Sequence, residues 1–356
     1  MEKIKIGIIG VGNISDSHIN AYKNDPRAEL YAFCDINGAR LKEMGEKHGV
    51  TRLYENLDEM LALPELDAVS VCVWNNAHAE CAIKALRAGK NVLCEKPMAL
   101  NAPLAEEMEK VAAESGKVLM IGFVRRFGQD CALLKEYIDN GTFGDIYYAK
   151  VNNLRRHGNP GGWFADKSRS GGGPLIDLGV HVIDLVCYLL GTDVKPVSVY
   201  GATFRKLLNR PGVKDLPPYM SKDRTDHDDC TVEDLATALI RFDNGTVLSV
   251  ETAFELNVPE DESYIKLFGT KGGASVTNDL TISTELGGRL ANTKLRSRSD
   301  FDFQPSFCRE ISHFLDCVQN GTPCRNPAKD GVKLMKILDA IYASAETRHE
   351  VEIKWN

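Results

Sequence analysis

The chain has 356 residues, a formal net charge of −7, 43% hydrophobic residues and 26% charged residues. That length exceeds one ordinary core and predicts two domains. The acidic balance argues against a nucleic-acid or anionic-membrane surface, and no uninterrupted apolar run approaches the ~18 residues of a membrane span. The chain opens directly on a strand, leaving no room for a signal peptide. Its ten cysteines are scattered without a C-x-x-C pair, so they are expected as reduced thiols in a cytoplasm, and no metal site is predicted. His227-Asp228-Asp229-Cys230 strings metal-type ligands together, but adjacent residues rarely converge on one ion, and a solvated loop is expected.

Ile4, Ile6, Ile8 and Ile9 make an apolar strand that runs into Gly10-x-Gly12-x-x-Ser15. The spacing matches a dinucleotide-binding turn, with a small Ser in the third position. The glycines permit a tight turn and close backbone approach to a pyrophosphate at a helix N-terminus. A helix over Ile14–Tyr22 and a second strand over Leu30–Cys34 follow, ending at Asp35, where an acidic residue is expected to hold a ribose. A carboxylate there repels a 2′-phosphate, so NAD is favoured over NADP; Arg40 sits a helical turn away. Helices are predicted over Ala39–His48, Asp58–Leu63, His78–Ala88 and Pro103–Ser115. Strands alternate with them over Arg52–Tyr54, Ala68–Val73, Asn91–Cys94 and Val118–Ile121. The strands are nearly continuous apolar runs, as in a parallel sheet covered on both faces. Two strand ends carry unusual chemistry: Trp74-Asn75-Asn76-Ala77-His78 and Glu95-Lys96-Pro97.

The second half reads as α+β. A helix over Cys131–Asp139 precedes a strand over Ile146–Asn152. Strands expected to pair antiparallel follow over Pro196–Thr203, Leu235–Phe242, Thr246–Phe254, Tyr264–Gly269, Ala274–Thr277 and Thr281–Glu285. Asn244-Gly245 marks a hairpin turn. Helices over Phe307–Asn320 and Asp330–Arg348 and a strand over Val351–Lys354 close the chain. Residues 205–231, with Pro211, Pro217 and Pro218, form a polar insertion that is either mobile surface or a lid.

One helix is predicted between Pro174, suited to a first helical position, and the capping Gly191. It is apolar nearly all round, as a buried helix is. Asp177, His181, Asp184 and Tyr188 nevertheless form a polar stripe along it. Either a self-satisfied Asp–His pair locks the domains, or the stripe holds a general base with its orienting carboxylate. The preceding loop, Leu154–Arg169, carries Arg156, His157, Trp163 and Asp166. Trp163 suits the C–H face of a sugar ring while Arg156, His157 or Asp166 bonds its hydroxyls. The alternative is that Trp163 and Phe164 plug the domain seam and the arginines are solvated.

The fingerprint, Glu95-Lys96-Pro97 and Gly171-Gly-Gly-Pro-Leu-Ile-Asp177-Leu-Gly-Val-His181, taken in this order, resemble the Gfo/Idh/MocA oxidoreductases along essentially the whole chain. The resemblance implies a Rossmann domain over 1–124 and an α+β domain over 125–356 with a large open, mostly antiparallel sheet. Helix 330–348 is the candidate to return to the first domain. It implies Lys96, Asp177 and His181 as the catalytic set. Gly10, Gly12, Asn13, Ile14, Asp35, Trp74, Asn75, His78, Glu95 and Lys96 fall on the nucleotide side, and Arg156, His157, Trp163, Asp177 and His181 on the substrate side. It departs from the family at Trp74-Asn75-Asn76, where Thr-Pro-Asn is usual. The implied activity is NAD-dependent oxidation of a secondary hydroxyl of a cyclic sugar, glycoside or inositol, in a homodimer or homotetramer. Arg155-Arg-His-Gly-Asn-Pro-Gly-Gly-Trp163 further resembles the branch that oxidises glycosides at the 3-position. The alternatives are an NAD-dependent glycosidase acting through transient 3-oxidation and a non-enzymatic NAD-binding regulator.

Overall fold

The computed structural model describes residues 3–207, 210, 213–215, 217, 219–225, 229–277, 279–295 and 303–355. The chain packs as two compact units, Met1–Phe127 with Asp302–Val332, and Gly128–Phe301 with Lys333–Asn356.

The first unit alternates β1 (Ile4–Ile9), α1 (Asn13–Asn24), β2 (Ala28–Cys34), α2 (Gly38–His48), β3 (Leu53–Tyr54), α3 (Leu57–Leu61), β4 (Ala68–Val71), α4 (His78–Arg87), β5 (Asn91–Glu95), α5 (Ala102–Ser115) and β6 (Leu119–Gly122). The strands are parallel in the order β3-β2-β1-β4-β5-β6. The order reverses between β1 and β4, and the carboxyl ends of strands at such a switch point are where this architecture receives ligands. β4 stops at Val71, short of the expected Val73, so Cys72 lies just beyond the strand.

In the second unit α6 (Gln129–Asp139) leads to β7 (Ile146–Leu154) and the short α7 (Lys167–Ser170). A π-helical turn over Leu175–Gly179 opens α8 (Val180–Leu190). Then come β8 (Pro196–Phe204), β9 (Leu235–Phe242), β10 (Val247–Ala253), β11 (Glu262–Gly269), β12 (Gly272–Val276), β13 (Leu280–Leu286) and β14 (Arg289–Leu295). α9 (Phe303–Asn320), α10 (Ala328–Thr347) and β15 (Val351–Glu352) end the chain. The sheet order is β14-β13-β12-β11-β7-β10-β9-β8-β15. It is mostly antiparallel, as expected, with one parallel pair, β7 and β10, at its centre. β14 was not foreseen; its Leu290 is 95% exposed, so the strand carries little apolar signal.

Register explains which face of the sheet is covered. Val199, Ile240, Leu248, Ala149, Leu267, Ala274 and Ile282 lie in one row across seven strands, and all are buried. The π turn and α8 pack on β7 and β10. In the next row over, Tyr200 pairs with Leu239, both about half exposed, so the opposite face is open. Gly245, at φ +85°, makes the hairpin turn predicted at Asn244-Gly245. The helical stretch Lys167–Leu190 is long and apolar enough to cross a bilayer, although polar residues interrupt it. Of its apolar window 78% is buried within the protein, as in a core helix.

The returning helix differs from the one expected. Phe307, Ile311, Phe314 and Leu315 of α9 complete the first unit's core with Ile8, Ile19, Tyr22 and Phe33. α10 contributes only its first turn to that unit and belongs to the second from Lys333 onward. Two amphipathic helices of similar pattern do not declare which core each serves.

Candidate active site

In the first unit, Gly10 adopts φ +85°, and a Cβ there would stand 2.7 Å from the Cys72 carbonyl oxygen. Only glycine fits. At Gly12 a Cβ would meet nothing within 4 Å, so the backbone faces open space where α1 begins. Gly12 caps that helix without a side chain; Asn13 and Ile14, half-buried, form its first turn. A helix start of this kind suits a phosphate. The buried Ser15 donates its hydroxyl to Gly12 O at 2.7 Å. The Asp35 carboxylate accepts the N–H groups of Val11 and Asn37, each at 2.8 Å, which fixes it beside the cradle. Arg40 comes closer than its sequence position suggested, donating from Nε to Val11 O at 2.9 Å, but its Nη1 is engaged by Glu43. An open helix N-terminus beside a fixed carboxylate fits a dinucleotide with an unphosphorylated ribose 2′-hydroxyl.

β5 ends on Glu95, which is 5% exposed. One of its oxygens lies 2.8 Å from His18 Nε2, and the other accepts the Lys96 N–H at 3.1 Å. His18 Nδ1 is 3.2 Å from Ser70 Oγ, which meets the Tyr22 hydroxyl at 2.8 Å. Burial opposes a charge on His18, but the Cys72 sulfur and the Glu95 carboxylate outweigh it and raise its pKa to about 10. Burial likewise opposes ionised Glu95, but His18 prevails and holds that carboxyl below its usual range. The peptide bond between Lys96 and Pro97 is cis. Burial lowers the pKa of His78 against the opposing pull of its carbonyl partners; Nδ1 lies 2.7 Å from Pro97 O and Nε2 3.1 Å from Val73 O. Trp74 is 40% exposed, and Asn75 is buried at the start of a 3₁₀ turn, Asn75–Ala77, which delivers His78 to the Pro97 carbonyl. Lys96 is therefore clamped on both sides, by Glu95 at its own N–H and by His78 at the next carbonyl. His18, Ser70 and Tyr22 were missed; the available signal was a histidine on the core face of α1.

In the second unit, the helix that carries Asp177 and His181 is held at its start. Glu233, 8% exposed, accepts the N–H groups of Gly173 at 3.0 Å and Leu175 at 3.3 Å and the Tyr342 hydroxyl at 2.8 Å. A carboxylate at a helix N-terminus is electrostatically favoured. A Cβ on Gly172 would stand 2.0 Å from Tyr342 Oη, and one on Gly173 2.4 Å from Glu233 O. The helix begins with a π turn rather than as the uniform α-helix predicted from Pro174. Such turns recur at functional sites. Between Leu175 and Leu189 every residue is buried except Asp177, His181 and Tyr188. Asp184, the fourth member of the stripe, is 2% exposed.

The loop before this helix is tied down. His157 Nδ1 lies 3.0 Å from the carboxylate of buried Glu255, which also meets Arg210 Nε at 3.1 Å. The Arg156 N–H bonds Asp261 at 2.7 Å, and its guanidinium bonds Pro259 O at 3.1 Å. The Trp163 ring lies against Phe164, tilted by 31° with centroids 3.9 Å apart, and Phe164 meets Tyr219 edge-on at 5.9 Å. Asp223 accepts the Trp163 N–H at 3.3 Å and Arg169 Nη1 at 3.1 Å, and the Ser221 N–H bonds Pro160 O at 3.0 Å. Part of the 205–231 insertion therefore lies on the Trp163 loop. Asp166, a candidate hydroxyl ligand, instead caps α7 by accepting the Ser168 N–H at 2.9 Å. In the ligand-like run at 227–230, His227 and Asp228 lie outside the described residues, and Cys230 is buried against Asn159.

Residues 4–123 match an oxidoreductase family with an NAD-binding Rossmann fold, and residues 135–353 match its C-terminal alpha/beta domain. The chain is 34% identical over 354 residues to D-glucoside 3-dehydrogenase of Escherichia coli (strain K12), an alignment covering 98% of this chain and 97% of the relative. It is 28% identical over 354 residues to myo-inositol 2-dehydrogenase of Thermotoga maritima, covering 99% of each. The solved structure of levoglucosan dehydrogenase in complex with NADH shares the fold, with a TM-score of 0.85, 23% identity and 100% of both chains covered. Both domains of the chain thus place it in the Gfo/Idh/MocA family of NAD-binding oxidoreductases.

Proposed function

We propose that this protein is an NAD-dependent dehydrogenase that oxidises a ring hydroxyl of a glucoside, at C3, to a ketone. The observation that carries the chemistry is the line of accessible polar side chains, Asp177, His181 and Tyr188, on a helix otherwise buried from Leu175 to Leu189. The choice of glucosides follows the 34% identity to a D-glucoside 3-dehydrogenase.

NAD, when bound, supplies the hydride acceptor at nicotinamide C4. His181 takes the hydroxyl proton as the carbon gives up its hydride, so alcohol and NAD become ketone, NADH and a proton. Lys96 donates a hydrogen bond to the same oxygen and stabilises its developing negative charge. Asp177, one turn before His181, orients the imidazole. Trp163 supplies an apolar face for the sugar; Arg156 and His157 address its hydroxyls, His157 through Nε2 because Glu255 holds Nδ1. Gly10, Gly12, Asn13 and Ile14 receive the pyrophosphate, Asp35 the ribose, and Trp74, Asn75, His78 and Glu95 shape the nicotinamide side. The ten cysteines form no disulfide, which supports a reducing, cytoplasmic compartment. Tyr200, Leu239 and Phe268 on the open sheet face support a homodimer or homotetramer.

The test is NADH absorbance with NAD and a panel of glucosides, free hexoses and inositols, with products weighed by mass spectrometry. A glucoside product two hydrogens lighter, formed with NADH, is expected. Release of aglycone without net NADH would replace this reading with a glycosidase that recycles its NAD. NAD binding without turnover of any panel member would contradict it.

A further inference from the structure

One cluster of ligand-type side chains has no part in this chemistry. α9 presents His313 and Cys317 four residues apart, hence on one face. Gly321, at φ +65°, follows the helix end, and the chain turns back so that Cys324 joins them. One ring nitrogen of His313, Cys317 Sγ and Cys324 Sγ all lie within 4.8 Å of one another. Nε2 is 3.5 Å from Cys317 Sγ and accepts the Arg325 N–H at 2.9 Å. A backbone N–H only donates, so Nε2 is unprotonated and the ring proton sits on Nδ1. That is the state in which imidazole binds a metal. The Phe127 ring, 5.6 Å away between centroids, flanks the imidazole. Cys317 is 3% exposed while His313 and Cys324 are half-buried, so the cluster has a floor and an opening.

We propose that His313, Cys317 and Cys324 bind one divalent cation of the zinc class, with a fourth coordination position left to solvent. With bonds of about 2.3 Å to sulfur and about 2.0 Å to nitrogen, a tetrahedral ion sets the sulfur–nitrogen edge at about 3.5 Å. The Cys317–His313 edge is 3.5 Å. Uptake forms two metal–sulfur bonds and one metal–nitrogen bond, with both sulfurs bound as thiolates and any thiol proton they carry released to solvent. Because Nε2 has a single lone pair, metal binding there displaces the Arg325 N–H. His-x3-Cys-x6-Cys lacks the C-x-x-C signature, which is why its spacing alone gave no signal.

Cobalt(II) is the probe. Full-length protein, reduced with a phosphine and stripped by a chelator, should take up one equivalent of Co²⁺. It should then show tetrahedral d–d bands and a thiolate-to-cobalt charge-transfer band, both abolished by one equivalent of Zn²⁺. Cys317→Ser and Cys324→Ser should each weaken the charge-transfer band and the affinity. Cys308→Ser, elsewhere on α9, should change neither. Circular dichroism establishes that the variants fold, and His313→Gln, which keeps both thiols, should shift the d–d bands while retaining the charge transfer. Absence of the cobalt–thiolate spectrum in the unmutated protein, or its survival in the Cys317→Ser/Cys324→Ser double variant, would overturn the site. A Cys317–Cys324 disulfide formed by hydrogen peroxide, in protein that takes up no cobalt, would replace the metal site with a redox-active thiol pair.

Discussion

At the residue scale, Lys96 and His181 stand out in the sequence because each departs from the habits of its surroundings: a lysine just past a buried strand, and a histidine on an apolar helix. Lys96→Ala removes a donor to the developing oxyanion and should lower kcat by about 10²–10³. His181→Ala should cost about 10²–10⁴. In both, NAD affinity by fluorescence titration should persist; near-normal kcat would remove the residue from the mechanism. Asp35→Ala would remove the proposed charge-assisted bond to ribose, a class of bond worth about 1.5–3 kcal/mol, and should lower kcat/KM for NAD by roughly ten-fold or more while improving the use of NADP. Unchanged cofactor preference would contradict the assignment.

Glu95 and His18 make a stability prediction with a defined pH window. The raised pKa of His18 means that its contribution is complete below its ordinary value of 6.5 and fades as pH climbs through about 10. The lowered pKa of Glu95 means that its contribution is present above its ordinary 4.5 and fades as pH falls through the folded value. The pair thus stabilises most between 4.5 and 6.5. Breaking a buried pair costs about 3–5 kcal/mol. Thermal unfolding of wild type and His18→Gln should therefore differ most inside that window and converge toward alkaline pH. A constant gap would contradict the charged pair.

At the element scale, the helix holding Asp177 and His181 is set by its first turn. Residues 171–173 announced a turn before a helix, but not that Glu233 would grip it. Glu233 lies 60 residues from Gly173 in sequence and 109 from Tyr342. Glu255, 98 residues from His157, escaped notice for the same reason. Local periodicity reports which face of an element is apolar; it does not report which distant carboxylate caps it. The π turn was also hidden, because a four-residue polar stripe is compatible with either winding. Gly173→Ala drives a Cβ against backbone and should cost about 1–3 kcal/mol, read as a lower unfolding midpoint. Glu233→Gln keeps the shape but loses the charge and should reduce kcat more than NAD binding. Equal losses in both would make Glu233 a general stabiliser rather than a positioning residue.

At the scale of the whole molecule, the alternation of strands and helices made the first fold readable, and period-two patterns gave most strands of the second. What the pattern left out is non-local: the parallel β7–β10 pair, the exposed β14, and α9 as the helix completing the first core. The open sheet face gives a further prediction. Leu239→Arg should shift the protein to smaller species in light scattering, and an unchanged mass would remove this face as the subunit contact. The proposed hydride transfer from ring carbon 3 is read by mass analysis of the cofactor after turnover of NAD with a glucoside deuterated at C3. NADH should be one mass unit heavier with the C3 label and unlabelled when deuterium is at C2 or C4. Unlabelled NADH from the C3-deuterated glucoside would contradict it.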